Sequence, residues 1–405
     1  MKLGIGSSPV ALLAQGGPDW IAGRIYICNL VRAVNLLPNE ERIPFRLVLP
    51  HTSRPVDLID MGTSPLAARY FAFRAADSAA TKLRSAARSL RHRRWPRSLE
   101  EVVVRTKAEL VFPCMASPGR EFPVPWIGWI PDLQHKRLPQ FFSDTELRCR
   151  DASFQEIVDH ACHVVVSSQD ALHDLMRWFP IGPTRVSVLS FASVPADEWY
   201  EEEPRRVAAQ FQLPDKFLIF PSQFWIHKNH RTLFEAIRFL RDNGLTDICL
   251  VSTGHGNDYR HPEYFASLQR FLAQHRLAGH VHILGLLPRK VQIHLMRRAV
   301  AVVQPSLFEG WSALVEDART LGKRIYVSDI PVHREEQPSN AVFFHPDRAE
   351  ELAELVARDW PALKPGPDLA REREARVEQH DRTLSFARVF LQILERAAAD
   401  HGAST

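Results

Sequence analysis

The chain lacks the long apolar run that a transmembrane helix requires. No stretch of eighteen consecutive apolar residues occurs among its 405 residues, whereas a helix needs about 20 to cross a bilayer. The first residues, Met1–Gly6, turn polar and glycine-rich at once and lack the apolar core of a secretory signal. We therefore expect a cytoplasmic protein whose first β-strand is Leu3–Gly6.

Cysteine is scarce and scattered. The five cysteines are odd in number and show no Cys-x-x-Cys spacing: Cys28, Cys114, Cys149, Cys162 and Cys249. This pattern argues against a disulfide framework and against a zinc site, and it is typical of reduced thiols. The Gly-x4-Gly-Lys pattern of a P-loop is also missing.

The formal net charge is only +4, but basic residues are concentrated in one segment, 82–97. That segment has seven basic residues and no acid: Lys82, Arg84, Arg88, Arg91, Arg93, Arg94 and Arg97. It could contact an anionic membrane surface or a lipid diphosphate, or it could be a solvated helix face. No recognised nucleic-acid-binding motif accompanies it, so we expect no nucleic-acid partner.

Short apolar runs alternate with helical patterns along the whole chain, which is typical of parallel α/β sheets. After Leu3–Gly6, the predicted strands are Phe45–Leu49, Leu110–Pro113, Trp126–Ile130, Val164–Ser167, Val186–Leu189, Phe217–Pro221, Ile248–Thr253, Val281–Leu284, Val300–Gln304, Arg324–Ser328 and Val342–Phe344. Two consecutive sets predict two Rossmann-like domains, residues 1–195 and 196–383. A polar, proline-bearing stretch marks the boundary between them.

The most informative segment is Pro305–Ala318, which reads as a tight loop between a strand and a helix. Backbone N–H groups at a helix start, together with the positive end of the helix dipole, form a site for phosphate. Glu309 precedes that site, and Asp317 lies more than one turn inside the helix. Two acids on either side of a diphosphate could hold the hydroxyls of a sugar and of a ribose. Alternatively, the acids only favour the helix dipole.

This segment resembles the E-x7-E signature of the family-four retaining glycosyltransferases, which have the GT-B fold. Glu309 matches the first acid and Asp317, a shorter acid, the second. The resemblance implies that Glu309 holds sugar hydroxyls, that Asp317 holds the ribose, and that the amides of Gly310, Trp311 and Ser312 hold the diphosphate. It also implies that the last helix, predicted at 384–399, packs back on the first domain.

A second resemblance lies in the loop Phe220–His230, which follows the first strand of the second domain. Lys228 matches the lysine that neutralises the diphosphate leaving group in that family, and a fixed cation there stabilises the transition state. Gln223 stands where the family has an arginine, and its amide could still donate a hydrogen bond. A solvated loop lysine is the other interpretation.

Three further segments resemble parts of the family's donor site. Gly285 and Leu286 match a loop that lines the nucleobase, and Gly23 matches the glycine-rich loop over the phosphates. For both, an ordinary turn or helix start is an equal alternative. His333-Arg334-Glu335 either shapes the donor pocket or is structural.

The segment Trp129–Phe142 of the first domain resembles a loop in which the family often carries His-Asp. Here Pro131 replaces that histidine and Asp132 remains, while His135 follows three residues later. We expect Asp132 and, less directly, His135 in the active site, although a lone histidine is commonly a packing residue.

The resemblance implies a metal-independent retaining glycosyltransferase, with a nucleotide-sugar donor in the second domain and a glycan or lipid-linked acceptor in the first. No Asp-x-Asp pair occurs; metal-dependent transferases use such acids to bind a divalent ion. We therefore expect no metal or other cofactor. Synthesis of bacterial surface polysaccharide, such as lipopolysaccharide, at the inner face of the membrane fits the family. A GT-B epimerase or sugar-phosphate-forming enzyme and a non-catalytic sugar-nucleotide binder remain open.

Overall fold

The computed structural model of the protein describes residues 10–13, 21–50, 71–73, 98–201 and 203–402. Two predicted features, the strand Leu3–Gly6 and the basic segment 82–97, lie outside these ranges. In the part of the chain that is described, no helix combines the length and the apolar character needed to cross a membrane.

The first domain is built on a seven-stranded sheet in the order β3-β2-β1-β4-β5-β6-β7, with every pairing parallel. The strands are β1 (Val10–Leu13), β2 (Phe45–Pro50), β3 (Phe71–Phe73), β4 (Leu110–Cys114), β5 (Trp126–Ile130), β6 (His163–Val166) and β7 (Val186–Val188). Its helices are α1 (Ile21–Leu36), α2 (Leu99–Thr106), α3 (Gln134–Arg137), α4 (Asp144–His160) and α5 (Gln169–Trp178). The central strand β1 and the edge strand β3 were not among the predicted strands.

The second domain has a six-stranded parallel sheet in the order β10-β9-β8-β11-β12-β13. Its strands are β8 (Leu218–Pro221), β9 (Leu250–Thr253), β10 (Val281–Ile283), β11 (Ala301–Gln304), β12 (Ile325–Ser328) and β13 (Ala341–Phe344). The helices from the linker onward are α6 (Glu198–Glu201), α7 (Pro204–Gln210), α8 (His230–Asp242), α9 (Tyr264–Gln274), α10 (Arg289–Arg298), α11 (Ala313–Thr320), α12 (Pro331–Glu336) and α13 (Ala349–Asp359).

Both sheets have the strand order of a Rossmann fold, so the expected pair of α/β domains is confirmed. The order reverses between β1 and β4 in the first sheet and between β8 and β11 in the second. At such a point the chain leaves two neighbouring strands in opposite directions, and the crevice between the two loops is where ligands bind. In the second domain these are the loops that carry Lys228 and Glu309.

The last helix, α14 (Leu369–Gly402), connects the domains. Its apolar residues Phe386, Phe390 and Leu394 are buried in the core on one face of the first sheet. Near its start, Glu372 accepts two hydrogen bonds from Arg297 of the second domain, at 2.7 and 3.0 Å. The start of the helix therefore contacts the second domain, and its later residues pack on the first domain.

Candidate active site

Lys228 and Glu309 are brought together although they lie 81 residues apart in the chain. Lys228 Nζ is 2.6 Å from Glu309 Oε1, and the two side chains are 20% and 9% exposed. Because the contact is largely shielded from water, the attraction between the two charges is screened less than in a surface ion pair. A cation and an anion thus face one another in the crevice between the β8 and β11 loops.

The position of Lys228 is set by the next residue. Asn229 has a left-handed backbone (φ 59°) and ends the short turn before α8. Its side-chain amide donates to the carbonyl oxygens of Pro305, at 3.1 Å, and Pro346, at 2.8 Å. The N–H of Leu307 donates to the carbonyl of His227 at 2.8 Å. These bonds fasten the β8 loop to the β11 loop, so the lysine is held against the carboxylate.

Glu309 is positioned from below by Gln304, the last residue of β11. The Gln304 amide donates to Glu309 Oε1 at 3.1 Å and to Ser312 Oγ at 2.8 Å. Ser312 Oγ also accepts from the N–H of Val315 at 3.3 Å, which makes Ser312 the N-cap of α11. One buried amide therefore fixes both the acid and the start of the helix.

Gly310 lies directly against the first domain. A Cβ atom at this position would be 2.4 Å from the carbonyl oxygen of Pro131 and 2.8 Å from Cβ of Asp132. Next to it, Trp311 Nε1 donates to the carbonyl of Phe191 at 2.9 Å. The backbone that follows Phe308 therefore faces the first domain across the interdomain gap, and only glycine permits this approach.

One expected phosphate donor is already occupied. The N–H of Ser312 donates to Glu336 Oε1 at 2.6 Å, so this amide is not free, contrary to the sequence-based expectation. Burial raises the pKa of Glu336 well above its usual range, and the neighbouring Glu316 adds to the effect. The raised pKa favours the neutral form of the carboxyl beside the start of α11.

Asp317 is buried and engaged on both sides. Its Oδ1 accepts from Ser193 Oγ at 2.7 Å and from the guanidinium of Arg289 at the start of α10. Arg289 also lies 5.2 Å from the ring centroid of Trp199. The carboxylate therefore joins three segments, one of which belongs to the end of the first domain. The sequence pointed to Asp317 but not to either of its partners.

The two predicted residues of the first domain differ in placement. Asp132 is half-buried beside Gly310, and its carboxylate accepts from the N–H of Gln134 at 2.9 Å. His135 is fully buried; its Nε2 is 2.9 Å from Asp151, and its ring packs edge-on against Phe154. Burial lowers the pKa of His135, although the bond to Asp151 opposes this. The placement of His135 does not favour the predicted catalytic role.

Each of the remaining predicted donor residues comes after the carboxyl end of a strand. Gly285 has a positive φ of 69°, its carbonyl accepts from Gly254 N–H at 2.8 Å, and the adjacent Leu286 is exposed. Gln223 accepts from the indole N–H of Trp225, so its carbonyl end is engaged. Gly23 is buried in the first turn of α1, and the loop before it lies outside the described residues.

The three residues of the segment His333-Arg334-Glu335 make different contacts. Glu335 accepts from the backbone N–H groups of Gln169 and Asp170, at 2.7 and 3.1 Å, at the start of α5 in the first domain. Arg334 pairs with Asp329 on the surface. His333 is fully buried, and its Nδ1 is 2.8 Å from the carbonyl of Ser328, whose hydroxyl donates to Ser306 in the loop that leads to Glu309.

Residues 202–358 match the family described as glycosyl transferases group 1. The matched residues lie within the second domain. The expected enzyme class, a glycosyltransferase, is therefore confirmed. No curated protein matches the chain significantly.

Solved structures of similar fold cover nearly the whole chain. Sucrose-phosphate synthase from Thermosynechococcus elongatus superposes with a TM-score of 0.66 at 15% identity, over 98% of this chain and 100% of that one. Anabaena HepE, in complex with UDP and glucose, gives 0.65 at 15% identity, over 96% and 99%. WaaG, a glycosyltransferase involved in lipopolysaccharide biosynthesis, gives 0.60 at 14% identity, over 97% and 100%. Identities this low establish the fold alone, and the expected GT-B fold is confirmed.

Proposed function

We propose that this group 1 glycosyltransferase is retaining and metal-independent, and that it moves a sugar from a nucleotide-sugar to a glycan or lipid-linked acceptor. The donor lies against the second domain and the acceptor enters from the first. The observation that carries the proposal is the 2.6 Å contact between Lys228 and Glu309 at the switch point of the second sheet.

In the absence of donor, Lys228 and Glu309 neutralise each other. A bound diphosphate offers Lys228 a stronger partner, and Glu309 is then left to accept hydrogen bonds from sugar hydroxyls. The amides of Gly310 and Trp311 lie beside the positive end of α11, where an anion is favoured. The Asp317 carboxylate, on the same helix, is assigned to the ribose hydroxyls.

The reaction we propose needs no covalent intermediate with the protein. An acceptor hydroxyl oxygen bonds to the anomeric carbon while the bond from that carbon to the phosphate oxygen breaks. The bonding electrons stay on the phosphate, which takes the hydroxyl proton, so the products are a glycoside and a nucleoside diphosphate. Attack from the face that the phosphate leaves retains the anomeric configuration. Lys228 stabilises the negative charge that develops on the leaving group, and this supports a reaction without a metal ion.

UDP-sugars are the first donors to test, because HepE has been crystallised with UDP and glucose. A role in bacterial surface polysaccharide synthesis at the inner face of the membrane is part of the proposal. It is supported by the family resemblance and by the involvement of WaaG, which shares the fold, in lipopolysaccharide biosynthesis.

The test is a panel of UDP-, GDP- and dTDP-sugars with and without glycan acceptors. We expect nucleoside diphosphate release that depends on acceptor, and NMR of the product should show the donor's anomeric configuration. Conversion of the donor to an epimeric sugar nucleotide without acceptor, and without net release of nucleoside diphosphate, would indicate an epimerase instead. If no donor is bound or consumed, the proposal fails.

A further inference from the structure

The hydrogen-bond network behind Glu309 contains a second buried acceptor. His333, in α12, is fully buried. Its Nδ1 is 2.8 Å from the carbonyl oxygen of Ser328. A carbonyl oxygen only accepts, so Nδ1 carries the proton and donates it to this bond. The hydroxyl of Ser328 donates to the carbonyl of Ser306, at 2.6 Å, and is therefore compatible with that assignment.

The protonation of Nδ1 determines the state of the other ring nitrogen. In the neutral ring, Nε2 has a free lone pair and can only accept a hydrogen bond. Burial lowers the pKa of His333 to about 4, so the ring is neutral at physiological pH. Within the described residues, Nε2 is buried and has no hydrogen-bond partner. A buried acceptor without a donor is costly, and such a group in a native protein calls for a ligand or a water.

Hydrogen bonds place His333 in the network that holds Glu309. Ser328, whose carbonyl accepts from His333 Nδ1, donates its hydroxyl to the carbonyl of Ser306 in the β11 loop. Ser306 Oγ donates to Gln304 Oε1 at 3.2 Å, and the Gln304 amide donates to Glu309 Oε1 at 3.1 Å. The vacant acceptor therefore borders the place where the donor sugar is proposed to bind.

We propose that His333 Nε2 accepts a hydrogen bond from a hydroxyl of the donor sugar, adjacent to the hydroxyl that Glu309 binds. This deepens the proposed function and rests on it. Glu309 is a charged acceptor and His333 a neutral one, so together they select sugars that present two neighbouring hydroxyls to the second domain. A donor that lacks the second hydroxyl leaves Nε2 buried without a partner and is discriminated against.

The contact is tested with a series of monodeoxy donors on the wild-type protein and on His333→Asn. Asparagine places an amide N–H near the position of Nδ1 and removes the acceptor at Nε2. For one monodeoxy donor, we expect wild-type kcat/KM to fall about 10- to 100-fold, the usual cost of a lost hydrogen bond in a buried site. With the complete donor, kcat/KM of the His333→Asn variant should be lower than that of the wild type by a similar factor. With that deoxy donor it should fall little further, because the substitution and the missing hydroxyl remove the same interaction. His380→Asn, on the exposed face of α14, is the control and should discriminate as the wild type does.

A second readout uses the wild-type protein alone. The ¹⁵N resonance of His333 Nε2 should shift when the complete donor binds and stay in place with the discriminated deoxy donor. Losses that multiply in the variant, or an Nε2 resonance that responds equally to both donors, would overturn the proposal and leave a water as the partner. If no donor is turned over, the proposed reaction fails, while the same cycle in calorimetric donor binding still decides the His333 contact.

Discussion

The two domains share a Rossmann-type strand order but contribute different groups to the gap between them. The second domain contributes charge: the Lys228–Glu309 pair lies in its crevice, with the buried carboxyls of Asp317 and Glu336 behind it. The loop after β5 of the first domain contributes the backbone of Pro131 and a half-buried Asp132 that caps its own turn. In the proposed reaction, the second domain binds the donor diphosphate and the first domain closes against it.

The largest expected effect separates these two roles. Replacing Lys228 or Glu309 by alanine removes a charge aimed at the reacting centre, so kcat should fall about 100- to 1000-fold. Asp132→Ala should reduce it much less, because Asp132 belongs to the closing surface. Steady-state kinetics with a saturating donor decides this, with the exposed Lys364→Ala as the matched control. Full activity in both Lys228→Ala and Glu309→Ala would end the assignment.

The closure itself is tested at Gly310. An alanine methyl would overlap the carbonyl oxygen of Pro131, at 2.4 Å, so the domains could not meet as they do here. We expect kcat to fall about 10- to 100-fold, since a misplacement of 1 Å costs roughly that much. Binding of the nucleoside diphosphate alone should change little. Gly279→Ala is the matched control, because a Cβ there meets nothing within 4 Å. Equal activity of the two variants would show that the contact is dispensable.

The two domains can also be compared through the effect of pH on stability, because each contains a buried histidine: His333 in the second domain and His135 in the first. The folded-state pKa of His333 is about 4, whereas an unfolded histidine titrates near 6.5. Below about pH 6.5 the unfolded chain therefore binds a proton that the folded protein does not, and stability is lost as the pH falls. The difference in unfolding free energy between wild type and His333→Asn should shrink by at most about 1.4 kcal/mol per pH unit between pH 6 and 4.5.

The same denaturation series with His135→Asn should show a shallower slope. Its bond to Asp151 favours the charged ring, which opposes the effect of burial. If wild type and His333→Asn lose stability in parallel as the pH falls, the conclusion that His333 is buried in its neutral form is wrong.

The smallest effect concerns the bond between the domains at Asp317. Ser193→Ala removes the donor 2.7 Å from Oδ1, while the bond from Arg289 remains. A hydrogen bond of this kind contributes about 1 kcal/mol, so the KM for the donor should rise about fivefold with kcat nearly unchanged. The exposed Ser385→Ala should have no effect. An unchanged KM in Ser193→Ala would show that this bond does not position the acid.

Much of this arrangement could be predicted from the sequence because it depends on local pattern. Apolar runs set the strands, and the order of strands and helices set two parallel sheets. Lys228 and Glu309 each follow a strand at the same switch point, so their meeting is a consequence of the topology. The exceptions are β1, a run of four residues, and β3, a run of three, because periodicity in so short a run does not distinguish a strand from other apolar segments.

The contacts that could not be predicted join distant segments. Ser193 and Asp317 are 124 residues apart, and Ser312 and Glu336 are 24 apart. Nothing in the local pattern indicates which carboxyl will reach a given amide, because tertiary packing decides it. His135 shows the same limit: its short helix turns the ring inward against Phe154, and three residues of spacing from Asp132 could not reveal the direction.

The most direct test of the proposed donor site is a crystal structure of the protein with a bound nucleoside diphosphate. We predict that Lys228 Nζ leaves Glu309 and lies within hydrogen-bond distance of a phosphate oxygen, with the amides of Gly310 and Trp311 facing the same group. A diphosphate bound elsewhere, with the Lys228–Glu309 contact intact, would contradict this prediction.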